Sequence, residues 1–328
     1  MSRNVDAFVL WLDEVDTQHL SLVGRKAAIL GELLSLGIPV PYGFVITDYA
    51  FRRFLRINSL DEKIQHFLDV LSSEKVQNLA LLSNLSNKIK VLLEGGRIPQ
   101  EVKREIICAY NRLRENFWPE IAVRSSAVLE DAPNASFAGQ LKSFIGIHNI
   151  DGLIECIKKC WSSAFSLNCI LYAERMGVRY ESIHIGVCVQ VMIKSRSLGV
   201  VFTANSISKS TDEMIIESAW GFGLGVVSGL ITPDIFIIDK TTLRIVDRRI
   251  SKKREGYFWD ASLKQIIRKE LDNAMSLMPS LTDKEVKDIS ALAIDIETHF
   301  GRPQDIEWCI EKGSNRLFIL QSRPITTI

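Results

Sequence analysis

The stretch Asp305-Ile306-Glu307-Trp308, followed after a short turn by Gln321-Ser322-Arg323-Pro324, constrains this chain more than any other part of it. Both runs alternate polar and apolar residues with the period of two that marks a half-buried strand. Asp305 and Glu307 fall on one face, and Ile306, Trp308 and Ile310 on the other. In the second run Gln321 and Arg323 share a face, opposite Phe318 and Leu320. Lys312-Gly313-Ser314-Asn315 between them is turn chemistry, so an antiparallel hairpin is expected. With residues 313–315 as the loop, Lys312 pairs with Arg316, Glu307 falls opposite Gln321, and Asp305 falls opposite Arg323. That register gathers two carboxylates, an amide and a guanidinium into one patch. Carboxylate and amide oxygens suit a hard cation such as Mg²⁺ carried by a polyphosphate, and the arginine fork suits phosphate. A solvated hairpin face crossed by ordinary salt bridges accounts for the same residues equally well.

At 328 residues the chain is long enough for a large core divided between two lobes. Forty basic against thirty-nine acidic residues leave a net charge of +1, so no bulk field selects nucleic acid or an anionic membrane. The basic clusters Arg248-Arg249 and Lys252-Lys253-Arg254 fit solvated loops or strand ends. Six cysteines contain no Cys-x-x-Cys pair and have no histidine at zinc spacing, and most sit in apolar runs such as Gly186-Val187-Cys188-Val189. A reducing, cytoplasmic setting is expected. Residues 7–12 are too short for a secretory core, and no apolar run approaches a membrane span. A soluble protein follows.

Helical spacing over residues 26–36, between Gly24 and Gly37, predicts a helix with a glycine stop. A strand over 44–46 and a Thr47-capped helix come next, and 60–117 is mostly helical. A strand over 121–124 is expected to run into a serine-rich turn, which puts Arg124 at the carboxyl edge of a sheet. Another strand covers 142–147, and one long helix 151–176. Beyond Gly177 strands dominate, over 183–193, 198–203, 213–219, 235–238 and 243–247, until the last helix over 283–300, stopped by Gly301 and Pro303. This order predicts an α+β fold in two lobes, 1–189 and 190–328.

Three further constellations carry chemistry. Gly24-Arg25-Lys26 opens a helix, where free N–H groups and the helix dipole attract anions, though any single lysine in a first turn is more often just exposed. Residues 131–139 form a loop of small residues whose Ser136-Phe137-Ala138-Gly139 is suited to close over phosphate, or to serve as a plain structural turn. Glu217-Ser218-Ala219-Trp220-Gly221-Phe222-Gly223-Leu224-Gly225 is a strand followed by a glycine-rich turn, without the third glycine of a dinucleotide fingerprint. No Walker A pattern is present, and none of the histidines (19, 66, 148, 184 and 299) stands beside a partner that would make a hydrolase signature.

Taken in order, these pieces resemble the ATP-binding domain of phosphoenolpyruvate synthase and pyruvate phosphate dikinase, which rifampicin phosphotransferase shares. The matching text is Val23-Gly24-Arg25-Lys26, Leu30-Gly31-Glu32-Leu33, Pro39-Val40-Pro41-Tyr42-Gly43-Phe44, Val123-Arg124-Ser125-Ser126-Ala127 and Ala135-Ser136-Phe137-Ala138-Gly139-Gln140. It continues through Gln190-Val191-Met192, Gly199-Val200-Val201-Phe202-Thr203, Thr232-Pro233-Asp234 and the two hairpin runs. The chain departs from the pattern at Arg25, Ile29 and Ser143, and at Leu224, where the family carries a glutamate.

The resemblance implies an ATP-grasp fold with ATP between two lobes. It places Lys26, Arg124 and Arg323 on phosphates as the catalytic cations, with Ser136 and Gly139 in the phosphate loop. Gln190, Val191 and Met192 become a strand edge beside adenine, with Glu217 near the nucleoside. Glu307 and Gln321 hold Mg²⁺, with Asp305 nearby. It further implies an ATP- and Mg²⁺-dependent phosphotransferase component that passes a phosphoryl or pyrophosphoryl group to a histidine. None of the five histidines here lies in the family's glycine-rich Ser/Thr-His context, so the acceptor is expected on a separate protein and the chain to end after its own last strand. The nucleotide module of a small-molecule kinase, or a non-catalytic nucleotide-binding module, are the alternatives.

Overall fold

The structure is a computed structural model that describes residues 6–73, 79–116, 120–128, 141–175, 183–205, 208–222 and 231–326. The chain divides into two compact units, Met1–Ser35 with Tyr42–Met192, and Leu36–Pro41 with Ile193–Ile328. Helices and antiparallel strands occur in both, which makes the fold α+β.

The first unit contains β1 (Val9–Trp11), α1 (Leu20–Val23), α2 (Arg25–Ser35), β2 (Gly43–Ile46), α3 (Asp48–Ile57), α4 (Asp61–Ser73), α5 (Leu79–Gly95) and α6 (Gln100–Asn116). It continues with β3 (Ile121–Ala127), β4 (Ser143–Ile147), α7 (Ile150–Ser163), α8 (Leu167–Arg175) and β5 (Ile185–Val191). The sheet order is β1-β2-β5-β3-β4, all antiparallel. The apolar run of β5 puts it at the centre, buried along its whole length. Phe51 and Phe54 pack their rings 5.3 and 4.9 Å from the fully buried Trp161 of α7.

Two expectations need correction here. Residues 151–176 are not one helix: α7 ends at Ser163 and α8 begins at Leu167. Ser162 and Ser163 turn their hydroxyls onto the carbonyls of Lys159 and Cys160, at 3.2 and 2.7 Å, and the backbone tightens into bonds from Ala164 to Trp161 and Phe165 to Ser162. Such local bonds compete with the helical ladder and end it. Arg124 also lies in the middle of its strand rather than at the edge, because β3 runs on through Ser125, Ser126 and Ala127. Both serines find partners inside the unit: Ser125 Oγ donates to the Lys142 carbonyl at 3.0 Å, and Ser126 Oγ accepts the Ala27 N–H at 3.0 Å.

In the second unit β6 (Ser195–Phe202), β7 (Glu213–Trp220), β8 (Asp234–Asp239), β9 (Ile245–Arg249), β12 (Gln304–Glu311) and β13 (Leu317–Pro324) form one antiparallel sheet, in the order β13-β12-β6-β7-β8-β9. The separate hairpin of β10 (Glu255–Asp260) and β11 (Gln265–Glu270), and the short α9 (Asn273–Leu277), lie between β9 and α10 (Asp283–Phe300) in sequence. α10 packs on β12 and β6. A Thr282–Glu285 capping box opens it, and Gly301, with φ of 66°, closes it at the expected stop. The outer edge of β13 is met by the Pro39 carbonyl, which accepts the Ile319 N–H at 2.8 Å. Two prolines in that segment leave few N–H groups to recruit another strand.

Among the described residues no helix is long and apolar enough to cross a membrane.

Candidate functional site

Each unit carries one group of the residues singled out in sequence. In the first, Gly24 ends α1 with φ of 75°, and its carbonyl takes the Ala28 N–H as α2 begins. A Cβ there would lie 1.8 Å from the Ser126 carbonyl oxygen, so only glycine permits the approach. With Ala27 bonded to Ser126 Oγ, the first turn of α2 is pinned against β3. Lys26 follows: it is buried, 6 % exposed, and its Nζ lies 3.4 Å from the Ser125 carbonyl. The Lys26 ammonium thereby meets the β3 backbone one residue past Arg124. Arg124 sits opposite Cys188 of β5 and Ser143 of β4, which places Ser143 on the face of Arg124.

Gln190 pairs with Ala122, two residues before Arg124, so it shares that face. β5 lies between β2 and β3, so residues 190–192 are not a free lateral edge. Gln190 is paired on both sides, Val191 N–H bonds the Tyr42 carbonyl at 2.9 Å, and Met192 N–H bonds the Glu120 carbonyl at 3.1 Å. What they form is the buried carboxyl end of a central strand. Ser136, Gly139 and Leu224 lie outside the described residues.

In the second unit the hairpin has the anticipated site register. Asp305 faces Arg323 and Glu307 faces Gln321. The turn differs: Glu311, not Lys312, closes on Arg316, and the loop is residues 312–315, with positive φ at Gly313 and Asn315. A β-bulge between Glu307 and Trp308 absorbs the shift, leaving Leu320 without an opposite residue. The two deviations cancel at the site. The bulge also moves Phe318 opposite Cys309, onto the face of Glu307 and not away from it.

The ladder extends this face across the sheet. Glu307 pairs with Val200 of β6, and Val200 with Glu217 of β7, so Gln321, Glu307, Val200 and Glu217 form one row. Two strand spacings put the Glu307 and Glu217 backbones on the order of 10 Å apart. Gly199 permits this closeness between β6 and β7, since a Cβ there would meet the Glu217 carbonyl at 1.9 Å and Trp308 at 2.6 Å.

Asp305 Oδ2 accepts from both Nε and a terminal nitrogen of Arg323, each at 2.8 Å. That aims the guanidinium along the sheet face. Burial pushes the Glu217 carboxyl above its ordinary pKa, and the charge of Asp305 adds to the shift. The donor set is the one a hard cation takes: Glu307 and Gln321 supply carboxylate and amide oxygens across one pair of strands, while Asp305 engages Arg323. Among the described residues no group of three His, Cys, Asp or Glu side chains stands close enough to hold a metal by itself. The fit therefore rests on Glu307 with the Gln321 amide, the remaining positions falling to substrate oxygens and water, as for Mg²⁺ on a polyphosphate.

Sequence reasoning passed over Gln304, and quoted Ser126 and Ser322 within motifs without giving them a role. All three are buried and bonded inside the fold, which no local pattern announces.

The chain matches the family described as pyruvate phosphate dikinase, AMP/ATP-binding domain, over residues 20–328. It is 39 % identical over 324 residues to a probable phosphoenolpyruvate synthase of Methanocaldococcus jannaschii, covering 98 % of this chain and 27 % of that protein. The probable phosphoenolpyruvate synthase of Archaeoglobus fulgidus is also 39 % identical, over 98 % of this chain and 42 % of that one. The phosphoenolpyruvate synthase of Aeropyrum pernix is 35 % identical, over 97 % and 42 %. The chain thus spans less than half the length of these relatives. Among solved structures, D-alanyl-alanine synthetase A from Vibrio cholerae overlaps 66 % of this chain and 46 % of its own at 14 % identity and a TM-score of 0.30, too partial to carry an argument. The match along nearly the whole chain, with glycine, lysine, arginine and acidic hairpin in order, means that this chain belongs to the pyruvate phosphate dikinase AMP/ATP-binding domain family.

Proposed function

We propose that the chain is the nucleotide-handling component of an ATP-grasp phosphotransferase, which binds ATP with Mg²⁺ and delivers a phosphoryl or pyrophosphoryl group to a histidine on a separate swivelling domain or protein. The observation that carries this reading is the hairpin register, which sets Glu307 opposite Gln321 and Asp305 opposite Arg323 within a family of AMP/ATP-binding domains.

Lys26 and Arg124 serve as phosphate donors, the first on a helix N-terminal turn and the second on β3. Ser136 and Gly139 line the phosphates in the same reading. Arg323, held by Asp305, presents a fixed fork to phosphate oxygens. Gln190, Val191 and Met192 flank the adenine, and Glu217, its carboxyl kept toward the neutral form by burial, takes a ribose hydroxyl. Glu307 and Gln321 hold the cation, which when bound neutralises developing phosphate charge. The work of these residues is positioning and charge compensation, not covalent chemistry.

Leu224 favours a second reading, a nucleotide-binding module without catalysis, because leucine neither binds metal nor orients a hydroxyl. The two readings separate in an assay of AMP formation. The chain mixed with a protein bearing the phosphorylatable histidine should form AMP from ATP, and the chain alone should turn ATP over very slowly. Absence of AMP with every such partner, alongside intact ATP binding, selects the second reading. Rapid phosphorylation of a small molecule by the chain alone rejects the separate-histidine acceptor.

A further inference from the structure

On the buried side of the hairpin, beneath the charged face, Gln304 and Ser322 make a second cross-strand contact. Ser322 Oγ donates to Gln304 Oε1 at 2.9 Å, and Gln304 Nε2 donates to the Arg302 carbonyl at 3.0 Å, which fixes the amide's orientation. Both side chains are enclosed, at 2 % and 3 % exposure. The Gln304 backbone is itself tied to Thr203 just past β6: its N–H donates to Thr203 Oγ1 at 2.8 Å, and its carbonyl accepts the Thr203 N–H at 2.9 Å. Lys240, paired with Glu297, donates in turn to the Thr203 carbonyl at 2.9 Å. Gln304 is thus anchored to the middle of the sheet, and β13 reaches that anchor through Ser322.

The bulge at Leu320 makes such an anchor necessary. If the pairing on the turn side ran on without the extra residue, Leu320 would oppose Glu307 and Gln321 would oppose Ile306. Every side chain beyond would change face, turning Arg323 into the interior. Turn geometry therefore does not set the register at the site. We infer that Gln304 and Ser322 are positioning residues: their hydrogen bond locks the end of β13 in the register that places Gln321 opposite Glu307 and Arg323 opposite Asp305. The proposal rests on the nucleotide reading above for its consequence, but the lock can be measured without it.

The test uses Ser322→Ala, Ser322→Thr and the double variant Ser322→Ala/Gln304→Met. The double variant leaves neither buried partner unsatisfied, so it should fold where the single Ala variant proves too unstable. Amide hydrogen exchange is expected to rise in residues 305–307 and 321–323 of the double variant and to stay at the parent's level in residues 308–310, beyond the bulge. Exchange unchanged in both segments, or raised equally in both, overturns the lock. ATP affinity measured with and without Mg²⁺ reads its consequence. The Mg²⁺-dependent gain should fall about tenfold in the double variant, with Ser322→Thr near the parent and adenosine affinity unmoved, as expected when a supporting hydrogen bond behind a ligand is removed. A parent that shows no Mg²⁺-dependent gain rejects the nucleotide reading, while the exchange pattern still decides the lock. A parent-like gain in the double variant overturns the positioning role.

Discussion

Lys26 and Arg124 illustrate how single residues acquire a role from their surroundings. Lys26 is buried and its ammonium lies against the Ser125 carbonyl, one residue past Arg124 in β3. Replacing either by Ala should weaken ATP binding by about 1.5–3 kcal/mol, the range for a hydrogen bond to a charged group, and leave adenosine binding nearly unchanged. Calorimetric titration with both ligands checks this; equal losses for the two would mean a folding defect. Glu217 supplies a pH prediction. Burial, and then Asp305, raise its native pKa above the unfolded value, so the native state holds more protons between the two. The stability it contributes is complete below the unfolded value and is lost as pH rises through the native one. Glu217→Gln removes that titration, so its melting temperature should gain on the parent's as pH rises through and above the ordinary glutamate range. Parallel melting curves across that range would show that Glu217 is not buried as described.

Elements hold these residues in place through close backbone contacts. Gly199→Ala forces a methyl group between β6, the Glu217 carbonyl and Trp308, and should cost about 1–3 kcal/mol by denaturant unfolding, as overpacking does. A variant as stable as the parent would contradict the tight β6–β7 spacing. The same elements show which parts were legible in sequence. The α10 helix carried its extent and glycine stop openly, and the β12–β13 runs carried a clean period of two. The bulge at Leu320 was not legible, because local hairpin patterning carries no mark of it and β12 is also held by β6, a partner distant in sequence. Ser125 and Ser126 read as a turn because serine favours turns, yet each hydroxyl is bonded inside the unit and strand pairing continues. The β10–β11 hairpin gave no signal, since its residues are mostly exposed or half-buried and show no alternating face. Of the candidate site, residue types and hairpin register were readable, but the mid-strand place of Arg124 and the buried place of Gln190 needed the sheet itself.

For the whole molecule, long-range polar anchors join segments that no local pattern connects. Lys253 and Asp234 form a wholly buried ion pair at 2.5 Å, and Asp234 also accepts from Ser251 N–H, Ser280 N–H and Ser280 Oγ. This ties the segment after β9 and the turn before α10 to the sheet at β8. Lys253→Met leaves a carboxylate buried without its cation and should cost roughly 3–5 kcal/mol in chemical denaturation. A loss below about 1 kcal/mol would place Asp234 in solvent instead. The central claim concerns what the folded chain binds. With Glu307 opposite Gln321 and Asp305 bound to Arg323, the hairpin face would repel a bare triphosphate and accept one that carries its cation. Calorimetric titration of the chain with ATP, with and without Mg²⁺, and repeated on Glu307→Gln, tests this most directly. The account predicts clear binding with Mg²⁺, weak binding without it, and loss of the difference in Glu307→Gln; equal affinity in both conditions, or an unchanged difference in the variant, would contradict it.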